Sequence, residues 1–287
     1  MSLLLELFST PKPIVGVVHL LPLPTSPRWS GSLDAVIARA EQEATALATG
    51  GVDGLIVENY YDAPFVPGRV DPAVVAAMSL IVKRILHLVS VPVGINVLRN
   101  DAHAALAISA CTGAQFIRVN VLVGTMATDQ GLIQGEAHSV LRYRRELGTR
   151  TRIFADVLVK HASPLGSTDL FQVARDTVER GLADGIIVSG TATGRPPDLA
   201  DLETARAAVP EVPILIGSGA TPDNIAQLLD LADGAIVASA LKRFGKPDQP
   251  IDPHRTRQFV DASHYPTNGT GINPGLVADL EEVESLF

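Results

Sequence analysis

GGVDGLIVEN, residues 50–59, returns with small changes as TGAQFIRVN at 112–120, GLADGIIVSG at 181–190 and LADGAIVASA at 231–240. Each copy follows a helix-like stretch and passes from a small-residue entry into an apolar run. A fixed internal repeat exposes the architecture when each copy is one supersecondary unit. Here that unit is a strand with its helix. A second strand type lies between the copies: KPIVGVVHL at 12–20, VPVGINVL at 91–98, RIFADVLVK at 152–160 and VPILIGSGAT at 212–221. Three of these four are entered through a proline, which a strand tolerates at its first residue because the missing N–H breaks no ladder bond there. The two types alternate and predict eight strands in all.

The helices between them are legible from apolar spacing. Over 71–90, Val74, Val75, Met78, Ile81, Val82, Ile85, Leu88 and Val89 recur at three- and four-residue steps, with Lys83, Arg84 and His87 elsewhere. Leu33, Val36, Ile37, Ala40, Ala44 and Leu47 make a second stripe, and Phe171, Ala174, Val178 and Leu182 a third. Near-continuous apolar strands alternating with such helices indicate a parallel sheet covered by helices. Eight units close it into a single (β/α)8 TIM barrel, for which 287 residues is a normal length. The barrel domain is read as 1–265. Past His264 the turn-rich PTNGTGINPG and the acidic LVADLEEVESLF predict a linker and tail over 266–287, either a short docking helix or an unstructured end.

Composition narrows the function. Apolar residues at 46% suffice for a core, while a formal net charge of −8 and a pI near 5.3 argue against a nucleic-acid partner and against simple attraction to anionic lipid. No uncharged apolar run reaches the roughly 18 residues of a membrane span, and Glu6 stands where a signal peptide would be apolar, so a cytosolic chain is expected. The single cysteine, Cys111, excludes an internal disulfide framework and reads as a small buried hydrophobe. The oligomeric state is not set by the sequence, and a homo-oligomer is compatible with it.

In this fold, ligand groups sit at the carboxyl ends of the strands and in the loops that follow. Those positions are His19; Glu58 and Asn59; Asn96; Arg118 and Asn120; Asp156, Lys160 and His161; Ser189 and Thr191; Gly217 to Thr221; and Ser239. A mutually satisfied polar cap is the bland alternative to a site. The sharpest signal is IGSGATPDN at 216–224, where Gly217, Ser218 and Gly219 end a strand and Thr221-Pro222 is placed to open a helix. Such a turn lets backbone N–H groups approach an anion. Its expected partner is the last strand end, with Ser239 and the amides of Ala240 and Leu241, because these barrels commonly hold phosphate between the seventh and eighth loops. Lys242 would add charge. The ligand class is then a phosphorylated small molecule.

For catalysis, Asp156 and Lys160 lie four apart on one strand and, with Leu158, face one way. Lys160 is either a Schiff-base lysine or a rim lysine beside His161, while His19 and Glu58 supply an acid and a base. Arg118 inside a barrel requires a carboxylate such as Asp156 or Glu58, or an anionic ligand. His19, Glu58 and Asp156 are metal-ligand types, but nothing in their spacing demands a metal, and no cofactor follows from the sequence. Trp29, Tyr60, Tyr61 and Phe65 gather on the two loops after the first strands, as a ligand wall or as loop packing. The glycine-rich VGTMATDQGLIQGEA at 123–137 predicts either a movable lid or a plain surface loop.

Seven stretches together resemble the BtpA family over roughly residues 5–265: VGVVHLLPLPTSPRW, GGVDGLIVENYYDAPF, VPVGINVLRNDAHAALAI, QFIRVNVLVGTMATDQGLIQG, ADVLVKHASPLG, ADGIIVSGTATG, and IGSGAT followed by ADGAIVASALK. The resemblance implies a photosystem I biogenesis factor, needed for reaction-centre proteins to accumulate or remain stable, with a direct or indirect link to them. It also implies a location on the cytoplasmic face of the thylakoid membrane. It carries over no catalytic residues. An isomerase or lyase type of enzyme acting on a phosphorylated sugar or nucleotide-like metabolite is the alternative drawn from the strand ends.

Overall fold

The structure is a computed structural model that describes residues 2–159, 161–190 and 194–264. Its elements run α1 (Leu3–Phe8), β1 (Ile14–His19), α2 (Leu33–Gly50), β2 (Gly54–Glu58), α3 (Pro72–Leu88), β3 (Val93–Asn96), α4 (Ala102–Thr112), β4 (Phe116–Val119), β5 (Thr125–Thr128), β6 (Gly131–Gln134) and α5 (Ala137–Glu146). There follow β7 (Arg152–Val157), β8 (Ala162–Pro164), α6 (Leu170–Arg175), β9 (Gly185–Val188), α7 (Leu199–Ala208), β10 (Ile214–Ile216), α8 (Ile225–Leu229), β11 (Gly234–Val237) and α9 (Pro253–His264). Eight parallel strands close in the order β1-β11-β10-β9-β7-β4-β3-β2, the expected TIM barrel. The tail expected at 266–287 lies outside the described residues.

The repeat has a physical purpose. At the floor of the barrel, the Asp53 carboxylate accepts the backbone N–H of Ile14, Asp184 that of Ile153 and Asp233 that of Ile214, while Gln115 takes the same position for Val93. Each clasp is reciprocal, because the backbone N–H of the Asp or Gln donates back to the carbonyl of the same strand residue. The repeated acid or amide thus satisfies a strand-opening N–H that would otherwise be stranded at about 1–3 kcal/mol. Prolines at 13, 92 and 213 precede β1, β3 and β10 as read, and their carbonyls accept from Ala235, Leu55 and Ile186 on neighbouring strands. Below, Leu4 and Phe8 of α1 join Val15, Ile56, Phe116, Phe154 and Leu215 in plugging the barrel, with Phe8 edge-on to Phe116 at 5.3 Å.

Helix α2 starts at Ser32, whose hydroxyl accepts from Ala35 N–H, and α3 starts at Asp71 followed by Pro72. Val36, Ala40, Ala44 and Leu47 bury the expected face of α2, with Glu43 unexpectedly among them. The third stripe needs correcting. α6 ends at Arg175 and passes into a π turn over Asp176–Arg180; Ala174 is buried and Val178 packs on the core, but Phe171 in the first turn of α6 and Leu182 beyond the π turn are exposed at 37% and 57%. Cys111 is also exposed, on the outer face of α4, against the buried reading.

Three strands stand beyond the eight expected, among the described residues. The 123–137 segment is a hairpin, β5 with β6, and β8 adds to β5 in an antiparallel three-stranded sheet. Met126 pairs with Ile133, and both pack on Val121 and Val159 in a small separate core. A hydrophobic contact of its own is why this stretch is ordered as a sheet and not as a plain loop.

Candidate functional site

The carboxyl ends of the barrel strands surround a cavity of about 760 Å³, inside the roughly 300–1,000 Å³ range of small-molecule sites. His19, Glu58, Asn96, Arg118, Asn120, His161, Gly217, Ser218, Gly219, Thr221, Ser239 and Ala240 line it, so the glycine-bearing turn after β10, the turn after β11 and the polar strand ends meet at one mouth. Ser189 lies just behind Gly217. Lys160 and Thr191 lie outside the described residues. β7 stops at Val157 and Leu158 takes a left-handed φ of 51°, so the expected single face of Asp156, Leu158 and Lys160 is not formed by one strand. Asn59 serves the loop instead: its amide donates to Asp62 and to Leu98 O and accepts from Leu98 N.

In ring order, β4 lies opposite β11 and β3 opposite β10. The first wall is charged. Arg118 grips Asp156 with both Nε and Nη2, at 2.9 and 2.8 Å, and Asn120 Nδ2 donates to the same carboxylate at 2.9 Å. The Asp156 side chain is 0% exposed and that of Arg118 7%. Burial opposes the Arg118 charge, but Asp156, with Glu58 beyond, more than offsets it and holds the guanidinium above its ordinary pKa. The predicted carboxylate for Arg118 is therefore Asp156, whose role is to hold Arg118 and Asn120 in place. Next to them Asn96 Nδ2 donates to Glu58 Oε2 at 2.6 Å, and His19 Nε2 stands 3.8 Å from Glu58 Oε1. Among the described residues no three His, Cys, Asp or Glu side chains gather as a metal set.

Across the mouth, Gly219 has φ +74°, and a Cβ there would stand 2.0 Å from Pro196 N, so only glycine permits this approach of the β10 and β9 loops. Ser218 ties the same loops, donating to Arg195 O and accepting from Gly190 N. The helix expected at Thr221-Pro222 begins later. α8 starts at Ile225, and Asn224 closes the turn, accepting from Thr221 N and donating to Gly219 O. Behind β11, Ser239–Leu241 form a 3-10 turn at the cavity edge. Lys242 does not add charge there. It is fully buried behind the mouth, with Nζ 3.3 Å from Glu43, and burial lowers its pKa. A rim cation that the sequence reading missed is Arg255 of α9, which donates to Ala240 O and lines the cavity. No local motif marks it, because the packing of α9 delivers it.

Tyr60, Tyr61 and Phe65 do form a wall of the cavity, whereas Trp29 packs into the outer core. Tyr60 stacks on His19 with ring centroids 4.1 Å apart, and Tyr61 donates to Pro247 O at 2.6 Å. Burial, then Glu43, pushes the Tyr61 phenol up to about 12. Between the ordinary pKa near 10 and that value the unfolded chain ionises Tyr61 and the folded chain does not, so its contribution to stability is present below about pH 10 and lost as pH rises toward 12. In an absorbance titration at alkaline pH, the Tyr61→Phe variant should lose a phenol that ionises after the ordinary ones; an unchanged late phase would contradict the assignment. Arg99, also missed, donates to Asp129 and Gln130 at the β5–β6 turn and to His161 O, strapping the hairpin to the mouth.

The family model described as the BtpA family matches residues 10–265. The chain belongs to the BtpA family. It is 65% identical over 259 residues, 90% of both chains, to the photosystem I biogenesis protein BtpA of Synechocystis sp.. It is 45% identical over 250 residues, 87% of this chain and 94% of the other, to an uncharacterized protein of Thermococcus kodakarensis. In three dimensions it resembles N-(5'-phosphoribosyl)anthranilate isomerase from Pyrococcus furiosus, with 13% identity, a TM-score of 0.53 and coverage of 88% of this chain and 98% of that one. At that identity the likeness speaks for the barrel fold alone. No helix among the described residues is long and apolar enough to cross a membrane.

Proposed function

We propose that this chain is a photosystem I biogenesis factor, sustaining the accumulation or stability of reaction-centre proteins, and that its barrel mouth binds a phosphorylated small molecule. The observation that carries the first part is the 65% identity, over nine-tenths of both chains, to a protein bearing that function in its name. The second part is supported by Gly219, Ser239 and Arg255 meeting at one rim of the cavity. Residues 1–265 are the working domain in this reading, attached peripherally to the cytoplasmic face of the thylakoid membrane, with 266–287 as an appended tail. The test is complementation of a Synechocystis strain lacking its relative. Expression of this chain should restore photosystem I reaction-centre protein on immunoblots, and expression at normal level without restoration would overturn the proposal.

A second reading is a metabolic enzyme of isomerase or lyase type. It is favoured by the 45% identical relative in Thermococcus kodakarensis, an organism without photosynthesis, and by Glu58 and His19 lying 3.8 Å apart in the cavity as a base and an acid. A Glu58→Gln variant that complements as well as the parent chain would count against it.

A further inference from the structure

We infer that the ligand of the barrel mouth is a nucleoside monophosphate, with its phosphate at the β10–β11 rim and its base against the aromatic wall on the loop after β2. The inference rests on the phosphate reading above and adds what the rest of the ligand is. The cavity, about 760 Å³, is far larger than a phosphate group, and its lining changes character around the ring of strands. Gly219, Ser239 and Arg255 mark the β10–β11 side, whereas Tyr60, Tyr61 and Phe65 follow β2. Only β1 separates β11 from β2, so the two parts stand two strand spacings apart, about 10 Å along the wall. One pentose bridges such an interval between a phosphate and a base.

The aromatic wall is fixed in place. Asp62 accepts from Leu23 N at 2.7 Å and from Asn59 Nδ2 at 3.0 Å, clasping the loop after β1 to the loop after β2, and Tyr61 is moored to Pro247 O on the loop after β11. Tyr60 meets Tyr61 edge to face at 5.2 Å and turns one face to His19. All three rings nevertheless stay only half-buried at the cavity, leaving apolar surface that a planar base covers and a bare sugar phosphate largely does not. Because the wall is already ordered, little freedom is lost when a base docks on it. Charge favours the phosphorylated form over a free nucleoside. Of the guanidiniums lining the cavity, Arg118 is paired with Asp156 and Arg99 with Asp129, but among the described residues no ion pair to a carboxylate engages Arg28 or Arg255. Arg28 stands on the loop after β1, the strand between the phosphate rim and the rings.

Isothermal titration calorimetry of the full chain tests this with inorganic phosphate, ribose 5-phosphate, adenosine 5'-monophosphate and uridine 5'-monophosphate. At least one nucleotide should bind about tenfold or more tightly than ribose 5-phosphate, because only the nucleotides carry a base to stack. Phe65→Leu keeps the apolar bulk and loses the ring, and should cut that advantage about fivefold. The ratio measured on the parent chain needs no variant, so the test stands even if Phe65→Leu does not fold. Arg28→Gln and Arg255→Gln should weaken all the phosphorylated ligands severalfold. Nucleotides that bind no more tightly than ribose 5-phosphate, or a folded Phe65→Leu that weakens both equally, would overturn the base assignment alone. If no phosphorylated ligand binds, or Arg255→Gln binds them all as the parent does, the phosphate reading falls and this inference falls with it.

Discussion

Asp156→Ala is expected to destabilise the protein by about 3–5 kcal/mol, because it leaves the guanidinium of Arg118 buried in the barrel with its principal partner gone. The size follows from burial more than from the ion pair itself. An exposed pair of the same geometry contributes about 0–1 kcal/mol, since water takes over when one partner leaves; here Asp156 is 0% and Arg118 7% exposed, so little water reaches the pair. Asn120 would lose its bond to the same carboxylate at the same time. Urea denaturation of parent and variant gives the value directly. The control is Arg118→Met with Asp156→Leu, which removes both charges and should recover most of the loss. A single variant within about 1 kcal/mol of the parent would mean that Arg118 finds another anion or solvent, and the proposed wall would have to be redrawn. Activity tests on Asp156 therefore need a stability measurement beside them.

The second large effect is expected at Glu43→Ala. Lys242 is 0% exposed, and its ammonium rests on both carboxylate oxygens of Glu43 at 3.3 and 3.4 Å, with Arg39 on the same carboxylate at 2.8 Å. Removing Glu43 leaves two cations facing each other, one of them sealed from water, at a cost of about 3–5 kcal/mol. Lys242 can escape only by losing its proton. Burial already lowers its pKa, and without Glu43 the folded protein would keep it neutral while the unfolded chain holds it charged. Stability of the variant should then rise with pH from neutrality toward the ordinary lysine value near 10.4, because the unfolded state binds the extra proton over that range. Thermal melts at pH 7 and 9 compare the two chains; a variant whose deficit is the same at both would contradict a stranded Lys242. The pair ties α2 to the segment after β11 and so helps fix the ground on which the Ser239–Leu241 turn stands.

The barrel was readable because its signal is repeated. Four strand openings with Asp or Gln at the same place, and three prolines before the alternate strands, leave one arrangement that satisfies them all. The strand-end ring followed from that, and the structure brings His19, Glu58, Asn96, Arg118, Asn120, Gly219 and Ser239 to one mouth. What was not legible depends on contacts between distant segments. Lys242 reads as a rim cation until Glu43, 199 residues earlier, is seen beneath it. Arg255 has no motif and arrives by helix packing. The β5–β6 hairpin had a signal, apolar Met126 and Ile133 alternating around the Asp129-Gln130 turn, but glycines at 124, 131 and 135 resemble a loop until the cross-strand pair is known.

The floor clasps carry one more consequence. Each of them joins two barrel strands that are consecutive in the chain: β1 with β2, β3 with β4, β7 with β9, β10 with β11. The molecule is thus assembled from four β-α-β modules that each lock themselves at the floor, and neighbouring modules meet through main-chain strand pairing and, at the mouth, through the Arg118–Asp156 and Asn96–Glu58 side-chain pairs. Four copies share both a motif and the bond it forms, so the floor is set by repetition, while at the opposite end each module brings its own set of side chains to the mouth.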